Sequence, residues 1–286
     1  MAGVTGRYSL GIYEKALRSS TGWEVRLAEA REAGFEFVEM SIDPSPDRLP
    51  RLDWLSADRL RFRRQVTASG IDVPSICLSA HRDHPLGSSD PERRLRGAEI
   101  LGKAIELAGD IDVRVVQIAG YYTSPDDRHP DARACYVAAL AAGAEQAAKA
   151  GVMLAIENVD GPDINSVTRA MEVVDEIGSP WLQVYPDIGN IAENELDTVA
   201  ELTVAKGHMV ALHAKDVRVG EPRRVPFGEG VVDFDLAFDT LARLGYFGRL
   251  MIEMWNDDAP DSVAATRAAR SFIIERIERA ELQVAS

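Results

Sequence analysis

Cysteine is nearly missing from this sequence: Cys77 and Cys135 are the only two in 286 residues. That spacing is neither a disulfide framework nor a zinc knuckle, so both read as buried thiols. No stretch approaches the roughly 18 consecutive apolar residues of a membrane span. The opening Met-Ala-Gly-Val-Thr-Gly-Arg also lacks the basic segment and apolar run of a secretory leader. A cytoplasmic protein is expected. Positive charge is scarce as well, with 32 Lys and Arg against 46 Asp and Glu and a formal net charge of −14. Such a field repels nucleic acid and anionic membranes, so neither is an expected partner. An anionic substrate would need local basic groups or aimed backbone N–H donors. The first strand runs into Glu14-Lys15-Ala16-Leu17 rather than a G-x-G-x-x-G turn, and no G-x-x-x-x-G-K-[ST] loop occurs, which leaves nucleotide binding without support.

What is present is a regular alternation. With 46% hydrophobic residues the chain can bury a large core. Eight β-branched or aromatic runs stand out: Tyr8–Tyr13, Phe35–Ile42, Val73–Leu78, Val113–Ala119, Val152–Val159, Leu182–Ile188, Val210–Lys215 and Arg249–Trp255. Between them lie segments of helical spacing, at Glu24–Ala33, Ala57–Ala68, Pro91–Ala108, Asp131–Ala150, Ser166–Ile177, Glu195–Ala205 and Asp235–Leu244, and a last helix is expected near Asp261–Ala280. Gly34, Gly70, Gly151 and Gly245 sit where a helix should stop before the next strand. Eight β–α units in one uninterrupted chain predict an α/β fold, a (β/α)8 TIM barrel forming a single domain over 1–286, with its core at about 8–256.

In such a barrel the active site lies at the C-terminal strand ends. Glu157, Asp187, His213 and Glu253 end strands five to eight, 30, 26 and 40 residues apart. Glu157 and Glu253 each follow an apolar run and would be drawn into the barrel mouth, where unpartnered carboxylates are costly and repel one another. One divalent metal ion among the four resolves that conflict; three oxygen donors and an imidazole suit Mn²⁺, Mg²⁺, Co²⁺ or Zn²⁺. The competing reading is a rim of hydrogen-bonded polar groups, and Glu39 alone reads equally as a rim residue reaching solvent. Five histidines and an acidic surface argue against a multi-metal barrel nuclease.

The segments Leu10–Ala16, Phe37–Ser41, Cys77–Arg82, Val184–Asn190, Val225–Gly230 and Ile252–Trp255 together closely resemble the L-ribulose-5-phosphate 3-epimerase family, some of whose members are labelled hexulose-6-phosphate isomerase. The family belongs to the xylose-isomerase-like barrels. The resemblance implies metal binding by Glu157, Asp187, His213 and Glu253, proton transfer by Glu157 and Glu253, and epimerisation at C3 of a ketopentose 5-phosphate through an enediolate. The family pattern Lys-Asp-Thr is Lys215-Asp216-Val217 here, and the strand-five segment Ile156–Asp160 also departs from it.

Candidate substrate contacts are His81 after strand three, Lys15 after strand one, Gln117 on strand four, and Lys215. The stretch after strand seven, with Arg218, Arg223, Arg224 and the N–H groups of Gly228 and Gly230, is the expected phosphate site. Trp255 and Tyr13 become neighbours once the barrel closes and can wall the sugar. His81 reads equally as a hydrogen-bonded support. Other metal-dependent readings are an aldose–ketose isomerase, a free-ketose 3-epimerase and an inosose dehydratase-type lyase; a sugar sensor without turnover is disfavoured because both carboxylates are present. By analogy with such barrels, a homo-oligomer of two or more chains is expected.

Overall fold

The computed structural model describes residues 8–256 and 258–284; the opening segment read above for a leader lies outside them. Eight parallel strands carry the fold: β1 (Tyr8–Tyr13), β2 (Phe37–Ile42), β3 (Ser75–Leu78), β4 (Val115–Ala119), β5 (Met153–Glu157), β6 (Leu182–Val184), β7 (Leu212–Ala214) and, last in the chain, β10 (Gly248–Ile252). Each of β1 to β6 pairs with its neighbour in sequence, β10 lies between β1 and β7, and the parallel bridges Val184 to Met209 and Asp187 to His213 join the two ends of the sheet. The sheet is therefore a closed ring, the (β/α)8 barrel expected from the sequence.

Helices α1 (Trp23–Ala33), α2 (Ser56–Ser69), α3 (Pro91–Asp110), α4 (Ala132–Ala150), α5 (Val167–Ile177), α6 (Ile188–Glu193), α7 (Thr198–Val204), α8 (Phe234–Leu244) and α9 (Ser262–Val284) follow the strands. Their starts and stops have local causes. The side chains of Asp90, Ser166, Asp197 and Asp233 accept the first free N–H groups of α3, α5, α7 and α8. The four expected glycine stops all hold positive φ, between 66° and 93°. Two features differ from the sequence reading. A short helix, α6, begins directly at Asp187, and an antiparallel hairpin, β8 (Asp216–Arg218) with β9 (Glu221–Val225), follows β7 where a loop was expected. Most strands are also shorter at their N-terminal ends than the apolar runs suggest.

Strand periodicity assigns each side chain to a layer. Leu10, Ile12, Val38, Met40, Ile76, Val116, Leu154, Leu212, Leu250 and Ile252 join the large apolar cluster beneath the helices. Residues of the other parity face the barrel axis. Low in the barrel these are Val115, Ala155, Tyr185 and Ala211, and on one side of the mouth Tyr13, Phe37, Cys77 and Met251. The same inner parity carries Glu39, Gln117, Glu157, His213 and Glu253, so the polar site is built from one face of the strands while the opposite face remains apolar.

Candidate metal centre and active-site cleft

Glu157 is the last residue of β5, and Glu253 directly follows β10. Asp187 is the N-cap of α6: its Oδ1 accepts the Gly189 and Asn190 N–H groups at 2.7 and 3.1 Å. His213 is central in β7. Ligand atoms of Glu157, Asp187, His213 and Glu253 all lie within 4.8 Å of one another, and all four residues are buried. The structure thus brings together the four residues singled out from strand ends.

A second ring of groups fixes them. His213 Nδ1 faces Glu157 Oε1 at 2.8 Å, while Nε2 faces Glu39 Oε1 at 2.9 Å. The Tyr185 ring packs edge-on against the imidazole at 4.4 Å. Glu39 does not reach solvent at the rim; it is fully buried, with Oε2 accepting from Ser75 Oγ. Gln117 donates its amide N–H to Glu157 Oε2, and Asn190 Nδ2 donates to Asp187 Oδ2 at 2.9 Å. Asn158 pairs with the Asp187 backbone through both amide atoms. The Lys215 ammonium lies 2.8 Å from Asp187 Oδ2 and 3.4 Å from Glu253 Oε2.

The electrostatics favour a cation. Burial lifts the Asp187 carboxyl to about 7, the Lys215 ammonium opposing it and the Glu253 and Glu157 charges adding to it. Burial alone would keep His213 neutral, but Glu39 and Glu157 outweigh it and raise its pKa well above the usual value. Burial likewise works against the charge on Glu253, and Lys215 and His213 overcome it, leaving its pKa below the ordinary value. Glu253 Oε2 is nevertheless a buried oxygen with no hydrogen-bond partner. Three carboxylates, one imidazole and an unsatisfied oxygen pointing into their midst fit a divalent metal ion.

Above this centre opens a narrow cleft. Glu157, Glu253, Lys15, Lys215 and Trp255 line it together with Tyr13, Arg82, Tyr121, Asp160 and Arg223. Tyr13 and Trp255 meet edge to face at 6.0 Å, so the two ends of the strand series do adjoin. Lys15 is paired with Asp43 at 2.6 Å.

Three expected substrate contacts are placed elsewhere. Gln117 is buried beneath Glu157. His81 is buried as well, its Nε2 facing the Gly97 carbonyl of α3 at 3.1 Å, and burial lowers its pKa to about 4. It has the geometry of the support residue, not of a cleft contact. Gly228 donates its N–H to Asp216 Oδ2 at 2.8 Å, as Gly230 does at 3.0 Å; those N–H groups cannot serve a phosphate. Arg82 and Tyr121, which line the cleft, were not singled out from sequence.

A family model described as the xylose isomerase-like TIM barrel matches residues 27–276. The chain is 44% identical over 271 residues to the L-ribulose-5-phosphate 3-epimerase UlaE of Escherichia coli strain SMS-3-5, covering 95% of each protein, and equally so to UlaE of Escherichia fergusonii. The chain belongs to this family. Solved structures support the family's fold: an L-ribulose 3-epimerase superposes with a TM-score of 0.79 at 24% identity over 97% of both chains. A D-allulose 3-epimerase from Methylomonas sp. superposes at 0.78 and 20% identity, covering 94% of this chain and 97% of that one. Among the described residues, no helix of this family member is long and apolar enough to cross a membrane.

Proposed function

We propose that this chain is a metal-dependent L-ribulose-5-phosphate 3-epimerase, interconverting L-ribulose 5-phosphate and L-xylulose 5-phosphate by inversion at C3. The observation that carries this reading is the 44% identity to UlaE over 95% of both chains, in a chain whose buried cluster is Glu157, Asp187, His213 and Glu253. We also take the whole chain to act as one catalytic domain, in the cytoplasm, as a homo-oligomer of two or more copies.

Glu157, Asp187, His213 and Glu253 would hold one divalent ion, Mn²⁺, Mg²⁺, Co²⁺ or Zn²⁺. When bound, the ion supplies Lewis-acid stabilisation of the negative charge that develops on the substrate's C2 oxygen. The proton chemistry belongs to the protein. One of Glu157 and Glu253 removes the C3 proton, the other delivers a proton to the opposite face of the enediolate, and the roles exchange in the reverse direction. Gln117 fixes the Glu157 carboxylate, and the Lys215 ammonium, 3.4 Å from Glu253 Oε2, keeps Glu253 ionised and ready to accept. Tyr13 and Trp255 form an apolar wall that keeps water from that side of the sugar.

Proton NMR of L-ribulose 5-phosphate in D₂O with the Mn²⁺-loaded or Zn²⁺-loaded enzyme tests the reading. Deuterium should enter at C3 and L-xylulose 5-phosphate should accumulate; Glu157→Gln and Glu253→Gln should each slow exchange by about 10²- to 10⁴-fold. Wild-type exchange rates in both variants would exclude the two-carboxylate scheme.

A further inference from the structure

A lysine drawn into a protein interior has to bring its ammonium to an anion, because a buried charge without a partner is costly. Lys215 directly follows β7 and is buried. Its aliphatic stem lies on the first turn of α6. A Cβ at Gly189 would come within 2.4 Å of Lys215 Cγ and 3.0 Å of its Cε, so the glycine is what leaves room for the stem. The ammonium ends 2.8 Å from Asp187 Oδ2 and 3.4 Å from Glu253 Oε2, on two of the carboxylates proposed as metal ligands. Arg223, another cation lining the cleft, is paired with Asp160 at 2.9 Å instead.

We propose that Lys215 is a built-in counter-cation: its ammonium competes with the divalent ion for Asp187 and Glu253 and so lowers the affinity with which the centre holds that ion. The proposal rests on the metal reading of the four-residue cluster above. Three ligand carboxylates less one ammonium leave two negative charges, which one divalent ion neutralises. Without the ammonium the same ligands would present a third, and an entering cation would meet no like charge beside it.

The ligands do not need Lys215 to keep their places. Asp187 Oδ1 accepts the Gly189 and Asn190 N–H groups, and its Oδ2 accepts from Asn190 Nδ2. Glu157 is fixed by Gln117 and His213, and the Glu253 N–H donates to the Ala214 carbonyl at 2.9 Å. Removing the ammonium therefore leaves the cluster assembled and takes away mainly a repulsion. An ammonium whose task was to order the ligands would have the opposite signature, since its loss would weaken metal binding.

Calorimetric titration of Mn²⁺ into metal-stripped protein reads the sign of the effect without turnover. Lys215→Met should bind Mn²⁺ about 10- to 100-fold more tightly than the wild type. That is a modest part of the Coulomb repulsion between a unit charge and a divalent ion a few Å apart at an effective dielectric constant of about 20. Lys215→Gln, which keeps a hydrogen-bond donor but not the charge, should tighten binding likewise, and it carries the test if the Met variant does not fold. Unchanged or weaker binding in either folded variant would overturn the proposal. Failure of the metal reading looks different: the wild type itself would bind no Mn²⁺, and the proposal would fall with it.

Discussion

His213 has a carboxylate on each ring nitrogen, and only one of these belongs to the proposed ligand set. Glu39, fully buried and 2.9 Å from Nε2, leaves Nδ1 to point at the cluster, as the partner of a ligating imidazole should. Replacing it should weaken Mn²⁺ or Zn²⁺ binding about 10- to 100-fold. Glu39→Gln, which keeps a hydrogen-bonding oxygen, should lose less than Glu39→Leu, and metal titration followed by calorimetry reads the order directly. Equal affinity in wild type and Glu39→Leu would remove this role. The four clustered residues were legible in the sequence because carboxylates and a histidine at the ends of apolar strands have few other reasons to be there. Glu39 resisted the same reasoning. Its partner is 174 residues away, and which strand ends face each other depends on sheet register, which residue order does not display. Arg82 was missed because an arginine after a strand looks the same whether it faces open solvent or lines a cleft.

At the scale of elements, the turn after β1 is pinned to the rest of the barrel mouth by one buried anion. Glu14 receives both guanidinium arms of Arg51 at 2.6 Å, Arg26 at 2.8 Å and the Ser41 N–H at 2.8 Å. Burial works against its charge, but Arg51, Arg26 and the Ser41 N–H outweigh it and hold its pKa below the ordinary 4.5. Glu14→Gln strands two buried guanidinium groups and should cost about 3–5 kcal/mol. Because the folded pKa is depressed, that advantage of the wild type should be complete above about pH 4.5 and fade as pH falls through the folded value. Urea midpoints of both proteins across pH 7 to 3 check the amount and the direction; a difference that grows on acidification would contradict the account. Strands and helices were legible from periodicity and glycine stops, since local sequence dictates both. The β8–β9 hairpin was not, because Pro222 and the run of charges over 221–224 hide the alternation of an exposed strand. Asp216, the first residue of β8, ties the hairpin to the loop that follows it, its carboxylate collecting the Gly228 and Gly230 N–H groups.

Over the whole molecule, eight strands converge so that one inner layer gathers three carboxylates and an imidazole beneath a cleft, inside a protein of net charge −14. A ring of parallel strands makes residues 96 positions apart in sequence, Glu157 and Glu253, into neighbours at one centre. Count and order of the β–α units were enough to anticipate that convergence. The loops around the cleft were harder to read, Arg223 having been singled out and Tyr121 not, because loops lack the periodicity that locates strands. The most direct test of the central claim is an anomalous difference map from crystals of the chain soaked in Mn²⁺. The account predicts one peak per chain, bordered by Glu157, Asp187, His213 and Glu253. A peak elsewhere, or no peak in crystals of an enzyme that stays fully active after exhaustive chelation, would contradict it.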